Sequence, residues 1–244
     1  VASIGLAISL PVAFTHAATT PEGQPTPPVL AAVEAPPLLT AYELARTRGQ
    51  PVAVLTRPTA LRTRPGGSEL WRLNTRTDFG TPTVLAAVDE RGGWLRVMEK
   101  QLPNGRTGWI RGSAAGIVQS PWSLRADVSD RLVEVLRDGR VVRRIHVGIG
   151  KAATPTPLGR FAVTDKLHYR DGTQGYGCCV LALTGRQPLV PSPYKDGLRM
   201  AIHGTSDAGT IGGAWSNGCL RANDADMRWL VRRVYLGSIL TIRA

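Results

Sequence analysis

Two short segments near the carboxyl end carry the residue types of a thiol nucleophile and its base. Ala201-Ile202-His203-Gly204-Thr205 brings an imidazole, and Trp215-Ser216-Asn217-Gly218-Cys219-Leu220-Arg221 brings a lone thiol, with glycine beside each. The thiolate is the attacking species, and a cysteine at its ordinary pKa of about 8.5 is mostly protonated at neutral pH. An imidazole within reach takes that proton or stabilises the thiolate as its cation. Cys219 is therefore expected as nucleophile and His203 as base, in acyl transfer through a thioester. Arg221 adds positive charge that should lower the thiol pKa. Gly218 removes a side chain just before the nucleophile, so the main-chain N–H groups of Gly218 and Cys219 are expected to form an oxyanion hole.

These groups need rigid supports. Leu198-Arg199-Met200-Ala201-Ile202 reads as a short strand that delivers His203 at its end, and Gly204 lets the chain turn. Further upstream, Leu132 to Arg137 and Arg140 to Val147 flank Asp138-Gly139, a hairpin signal. Asn223 suits a helix N-cap, acidic residues fill the first turn, and Met227, Leu230, Val231 and Val234 recur at the spacing of one apolar face. Gly237 should end that helix. Residues 238–242 should return as a last strand, with the helix packed on the sheet that bears the nucleophile.

The His203 and Cys219 segments resemble the catalytic motif of the bacterial L,D-transpeptidases, in which His-Gly-Thr precedes Ser-(His or Asn)-Gly-Cys-(aliphatic)-Arg. Thr154-Pro155-Thr156-Pro157-Leu158-Gly159-Arg160-Phe161 is similar to the family's Pro-Thr-Pro-x-Gly-x-Phe element, Tyr176-Gly177 to its Tyr-Gly element, and Asn223-Asp224-Ala225-Asp226 to its helix start. The resemblance runs from roughly Pro121 to Ala244. It implies a β-sandwich-like catalytic domain that cross-links diaminopimelate residues of peptidoglycan stem peptides through a cysteine acyl-enzyme, sensitive to carbapenems. It also implies that the Gly204 carbonyl orients the imidazole, which supports an imidazolium less than a carboxylate would and so predicts slow chemistry. Where many members carry a second histidine, this chain has Asn217.

Around this pair, Arg221 either binds a substrate carboxylate through its planar fork or pairs with Asp224 or Asp226. Ser216, Asn217 and Tyr176 are read as substrate contacts and Trp215 as core. His146 and His168 read as surface residues. Residues 165–177, glycine-rich with few apolar anchors, read as a mobile lid. Three cysteines do not make a disulfide framework. Adjacent Cys178 and Cys179 resist bridging to each other and read as a small buried pair on a strand. The thiols and His203 lack metal-ligand spacing, so neither a metal nor a cofactor is expected.

The 244 residues, 43% of them hydrophobic, suffice for two modest cores. Residues 1–18 read as a truncated signal peptide and 19–50 as a Pro/Ala-rich linker. Residues 51–119 alternate short β-prone runs with turn signals, Asn104-Gly105 being a hairpin turn, and suggest a small β-barrel. Their Gly-Gly-Trp-Leu-x-Val and Gly-Arg-x-Gly-Trp-Ile pieces resemble bacterial Src-homology-3-like wall domains. Trp94 and Trp109 there are either core or stacking platforms. Residues 120–244 form the catalytic domain, and the fold class is mainly β with one prominent helix near the carboxyl end. The leader predicts export to periplasm or cell wall, or retention on the membrane by an uncleaved amino terminus.

A formal charge of +12 draws the protein to anionic wall polymers, whereas no specific nucleic-acid motif is present. Oligomeric state leaves no mark in the sequence. The function expected is a peptidoglycan L,D-transpeptidase. A papain-like wall endopeptidase would place cysteine before histidine, and no histidine follows Cys219. A non-enzymatic wall-binding protein is the third reading.

Overall fold

The structure, a computed structural model, describes residues 49–169, 175–190 and 198–244. The expected leader, all but the end of the expected linker, and the centre of the expected lid lie outside these residues. Gln50 already belongs to the first strand.

Strands β1 (Gln50–Leu55), β2 (Thr59–Arg62), β3 (Glu69–Leu73), β4 (Val84–Arg91), β5 (Trp94–Val97), β6 (Gly108–Arg111) and β7 (Ala115–Ser120) pair in the linear order β3-β2-β6-β5-β4-β1-β7. Strand alternation decides what lies inside. Leu95 and Ile110 pair on one face and enter a core with Leu61, Leu85 and Val97. Trp94 and Trp109 fall on the opposite face, where arginines cover them: Arg111 lies 4.1 Å from the Trp94 ring centroid, and Arg91 and Arg96 lie about the Trp109 ring. Both rings are buried, as the core reading has it, on the face opposite the Leu61 cluster rather than within it. The Asn104-Gly105 turn is present, with Arg106 N–H bonded to the Pro103 carbonyl. It sits in a ten-residue connection rather than a tight hairpin, because residues 98–107 carry contacts to the second sheet.

That sheet contains β8 (Trp122–Asp127), β9 (Leu132–Arg137), β10 (Arg140–His146), β12 (Gly159–His168), β13 (Cys179–Gln187), β14 (Leu198–His203), β16 (Leu220–Arg221) and β17 (Ile239–Arg243). Its order is β10-β9-β8-β17-β12-β13-β14-β16, and β11 (Ile149–Gly150) pairs separately with β15 (Ala214–Ser216). Asp138 and Gly139, both at positive φ, make the β9–β10 turn. Helix α1 (Asp224–Arg233) starts where Asn223 accepts the Asp226 N–H at 2.8 Å. Its apolar stripe, Met227, Leu230 and Val231, is buried with Phe161, Leu181 and Ile202, each such side chain contributing about 1.5–3 kcal/mol. The helix ends at Val234, whose extended backbone breaks it, so Gly237 serves the following turn instead of the cap.

The two sheets meet through specific contacts. Gln50 donates to the Gly237 carbonyl and accepts from Ile239 N–H, Ser120 and Ser238 share a hydrogen bond, and the Asn104 amide bonds both main-chain groups of Arg186. Ala86, Met98, Ala162 and Ile239 form a small apolar cluster across the same seam.

Candidate active site

Strand register sets the arrangement. β14 and β16 run parallel with Ile202 opposite Leu220 and His203 opposite Arg221, while β13 places Val180 opposite His203 and Ala182 opposite Ala201. Side chains alternate between faces, so Ile202 and Leu220 enter the core shared with α1. His203, Arg221, Ala201 and Cys219 share the other face. Cys219 indeed packs with Val180, Ala182 and Ala201. Thiol and imidazole are diagonal neighbours on adjacent strands. No hydrogen bond joins them among the described residues; their relation is one of position.

His203 is 4% exposed, and its Nδ1 lies 2.6 Å from the Gly204 carbonyl. A carbonyl only accepts, so Nδ1 carries the proton and Nε2 is left with its lone pair. Burial lowers the His203 pKa below 6.5, the Gly204 carbonyl raises it, and Arg221 lowers it further. Gly204 must be glycine: a side chain there would run into the Asp224 carboxylate. Asp224, from the first turn of α1, accepts the Cys178 N–H with both oxygens, at 3.0 and 3.1 Å. It thereby fastens the turn at Gly177 and Cys178 to the start of α1. Sequence reasoning missed this role; the signal was an acid at the helix start facing glycines 177 and 204.

Cys219 is a free thiol, 9% exposed. Burial raises its pKa above the ordinary thiol value, while a main-chain hydrogen bond with Ala201 and the charge of Arg221 pull it down. Arg221 acts in the expected direction, yet burial outweighs it. Both partners are therefore neutral at rest, which suits proton transfer during attack rather than a preformed ion pair.

The preceding loop differs from expectation at two points. Ser216 is buried, and its hydroxyl donates to the Cys219 carbonyl at 2.6 Å and accepts the Gly218 N–H at 3.0 Å. Its hydroxyl is committed to the loop's own backbone. The same bond occupies the Gly218 N–H, so of the two expected oxyanion donors only the Cys219 N–H lacks a partner among the described residues. Behind the loop, the Ser216 carbonyl accepts from Lys151 N–H and the Thr154 hydroxyl, and Thr156 accepts the Gly150 N–H. The Thr-Pro-Thr-Pro segment thus braces the nucleophile loop before β12 begins.

Arg221 pairs with neither proposed acid. Asp224 meets Arg228, and Asp226 takes Arg143. The buried Arg221 Nε has no hydrogen-bond partner. Tyr176 packs edge-on against His203, with ring centroids 4.9 Å apart, and stacks on Tyr169. Burial raises its pKa, with further upward contributions from Cys219 and Tyr169. Asn217 is exposed. Trp215 is 67% exposed, contrary to the expected core position, because it lies at the solvent edge of the two-residue β11 pairing.

Cys178 and Cys179 are joined as a disulfide, against the expectation of a free buried pair. The reason is local: Cys178 lies in the turn before β13, so the pleat that would send adjacent side chains to opposite faces does not yet apply. The expected lid also begins too early. Residues 165–168 belong to β12, and Asp165 is fully buried. His146 and His168 are exposed.

Residues 121–242 match the YkuD family, described as the L,D-transpeptidase catalytic domain. Among curated proteins, YkuD of Bacillus subtilis strain 168 and its counterpart in Bacillus licheniformis, both named as L,D-transpeptidases, are each 25% identical over 122 residues. The match covers 50% of this chain and 66%, just under two thirds, of each relative. Among solved structures, an L,D-transpeptidase from Mycobacterium smegmatis is similar over 67% of this chain and all of its own, at 18% identity and a TM-score of 0.42. L,D-transpeptidase 3 from Mycobacterium tuberculosis, bearing a faropenem-derived adduct, is similar over 58% of this chain and 69% of its own, at 19% identity and a TM-score of 0.41.

Proposed function

Because the chain belongs to the L,D-transpeptidase catalytic-domain family, we propose that it is a peptidoglycan L,D-transpeptidase working through an acyl-enzyme on Cys219. The observation that carries this reading is the shared sheet face of His203 and Cys219, with Nδ1 held by the Gly204 carbonyl so that Nε2 is the free base. In the first step the Cys219 proton passes to His203 Nε2, and sulfur attacks the carbonyl that joins an L-centre of diaminopimelate to D-alanine. The Cys219 N–H is the available donor for the developing oxyanion. His203 then protonates the departing amine, leaving a thioester. In the second step an acceptor amine gives its proton to His203 and takes the acyl group, which restores the thiol.

Arg221, free of Asp224 and Asp226, is suited to hold a carboxylate of the stem peptide. Tyr176 walls the base, and exposed Asn217 is placed to contact the peptide. The amino-terminal sheet reads as a bacterial Src-homology-3-like wall module. The +12 charge favours anionic wall polymers, and a substrate in the wall calls for export.

Incubation with muropeptides followed by product analysis tests the whole reading. The native protein should yield a cross-linked product and a mass adduct on Cys219, with substrate or with a carbapenem, and Cys219→Ala should yield neither. Folded native protein that acquires no adduct with any of them overturns it.

A further inference from the structure

The face that carries Cys219 continues away from the catalytic corner to a group contributed by the other sheet. Along β14, Arg199 lies on the same face as Ala201 and His203, and along β12 Asp165 stands opposite Ala182. The Arg199 guanidinium crosses β13, donating to the Leu183 carbonyl at 3.1 Å, to Thr164 and to Asp165 at 2.6 Å. Thr77 and Thr81, from the connection between β3 and β4, donate to the other Asp165 oxygen. This connection is a built turn. Gly80 N–H bonds the Thr77 carbonyl, Thr77 N–H the Thr81 carbonyl and Arg76 the Gly80 carbonyl, and Lys100 pairs with Asp78.

At the tip of that turn stands Phe79, 54% exposed, with the Arg199 guanidinium carbon 5.7 Å from its ring centroid. A large apolar ring half in solvent, on a turn fastened to the sheet by Thr77 and Thr81, is presented along this face. Asp165, Ala182, Ala201 and Cys219 stand in line across β12, β13, β14 and β16, which puts the turn's anchor about 14 Å from Cys219 at ordinary strand spacings. That is roughly three to four residues of extended peptide.

We propose that the Thr77–Thr81 turn forms the far wall of the acyl-donor cleft, with Phe79 as a specificity-determining contact. It receives an apolar group of the donor peptide about three to four residues before the attacked carbonyl. The amino-terminal sheet then contributes a piece of the substrate site as well as any hold on the wall. Arg199 is a positioning residue, its charge already matched by Asp165, and it backs the ring with a cationic face. The inference rests on the transpeptidase reading, which supplies the identity of the donor.

The test is binding of a muropeptide tetrapeptide, and of versions shortened residue by residue from its amino end, to Cys219→Ala protein by calorimetry. Adding Phe79→Ala should weaken the full-length donor about five- to tenfold and leave donors too short to reach the ring unchanged. Phe79→Leu should recover part of the loss. In otherwise native enzyme the same change should raise KM for the long donor with kcat within about twofold. Unchanged affinity for every donor overturns the proposal, as does equal weakening for long and short ones, which would mark a general distortion. Length-dependent binding without turnover by native enzyme would sink the transpeptidase reading and leave the wall standing; turnover with no dependence on Phe79 would do the reverse.

Discussion

Two buried titratable centres face the same side of the second sheet, and they reach opposite charge states. At the seam, burial alone would raise the Asp165 pKa, but hydrogen bonds from Thr77 and Thr81 and the charge of Arg199 together hold it below 3.8. At the catalytic corner, burial prevails for both partners, leaving His203 below 6.5 and Cys219 above 9.0. Burial alone therefore does not decide ionisation; the donors and charges aimed at the group weigh against it. Asp165 has spent its hydrogen-bonding capacity and is structural. His203 Nε2 has no such donors, which leaves its lone pair open to take a proton.

The largest break in this comparison should come from Asp165→Ala. It leaves the Arg199 guanidinium without the Asp165 counter-charge and takes an acceptor from two threonine hydroxyls in the seam, and losing one partner of a buried ion pair costs about 3–5 kcal/mol. Urea unfolding should show the loss as a lowered midpoint. The native carboxylate, its pKa depressed on folding, contributes fully above pH 3.8, and that contribution disappears as pH falls through the folded value. An Asp165→Ala protein as stable as the native one would mean that the two sheets are not joined here.

Reactivity should respond to pH in the pattern of a neutral pair. The acylation rate with a carbapenem should fall tenfold per unit only below the depressed His203 value, under pH 6.5. Towards alkali it should hold past pH 9.0, where the raised thiol at last ionises. Protonation of His203 in the unfolded chain also costs stability as pH falls below 6.5, so rates must be taken where the protein remains folded. A narrow bell centred near neutrality would point to a thiolate–imidazolium pair instead.

What was legible in the sequence follows the same division. His203, Gly204 and Cys219 stand out because local pattern alone places them: a strand end, a glycine turn and a thiol after glycine. Asn223 and the apolar stripe of α1 are legible for the same reason, being fixed by spacing along one helix. The Thr77 bond to Asp165 joins residues 88 positions apart, and neither residue type announces a partner at that distance. Trp215 and the Cys178–Cys179 bridge were misread because composition suggests burial and separation, whereas a short edge pairing and a turn decide them. Ser216 lies between these cases. Its position in the motif was plain, but a hydroxyl bonds a substrate or its own loop with equal chemical ease.

Ser216→Ala separates those two uses, and its effect should be the smallest. It removes the donor to the Cys219 carbonyl and orphans the buried Gly218 N–H, costing about 1–3 kcal/mol. A structural hydroxyl predicts a lower thermal midpoint with KM for the donor unchanged, and a fall in kcat as the loop that aims Cys219 loosens. A substrate contact predicts the converse: KM raised, thermal midpoint and kcat kept. The variant also releases Gly218 N–H from its bond, so a faster acylation step in correctly folded Ser216→Ala protein would show that the second oxyanion donor had been present in the backbone and withheld by this one hydroxyl.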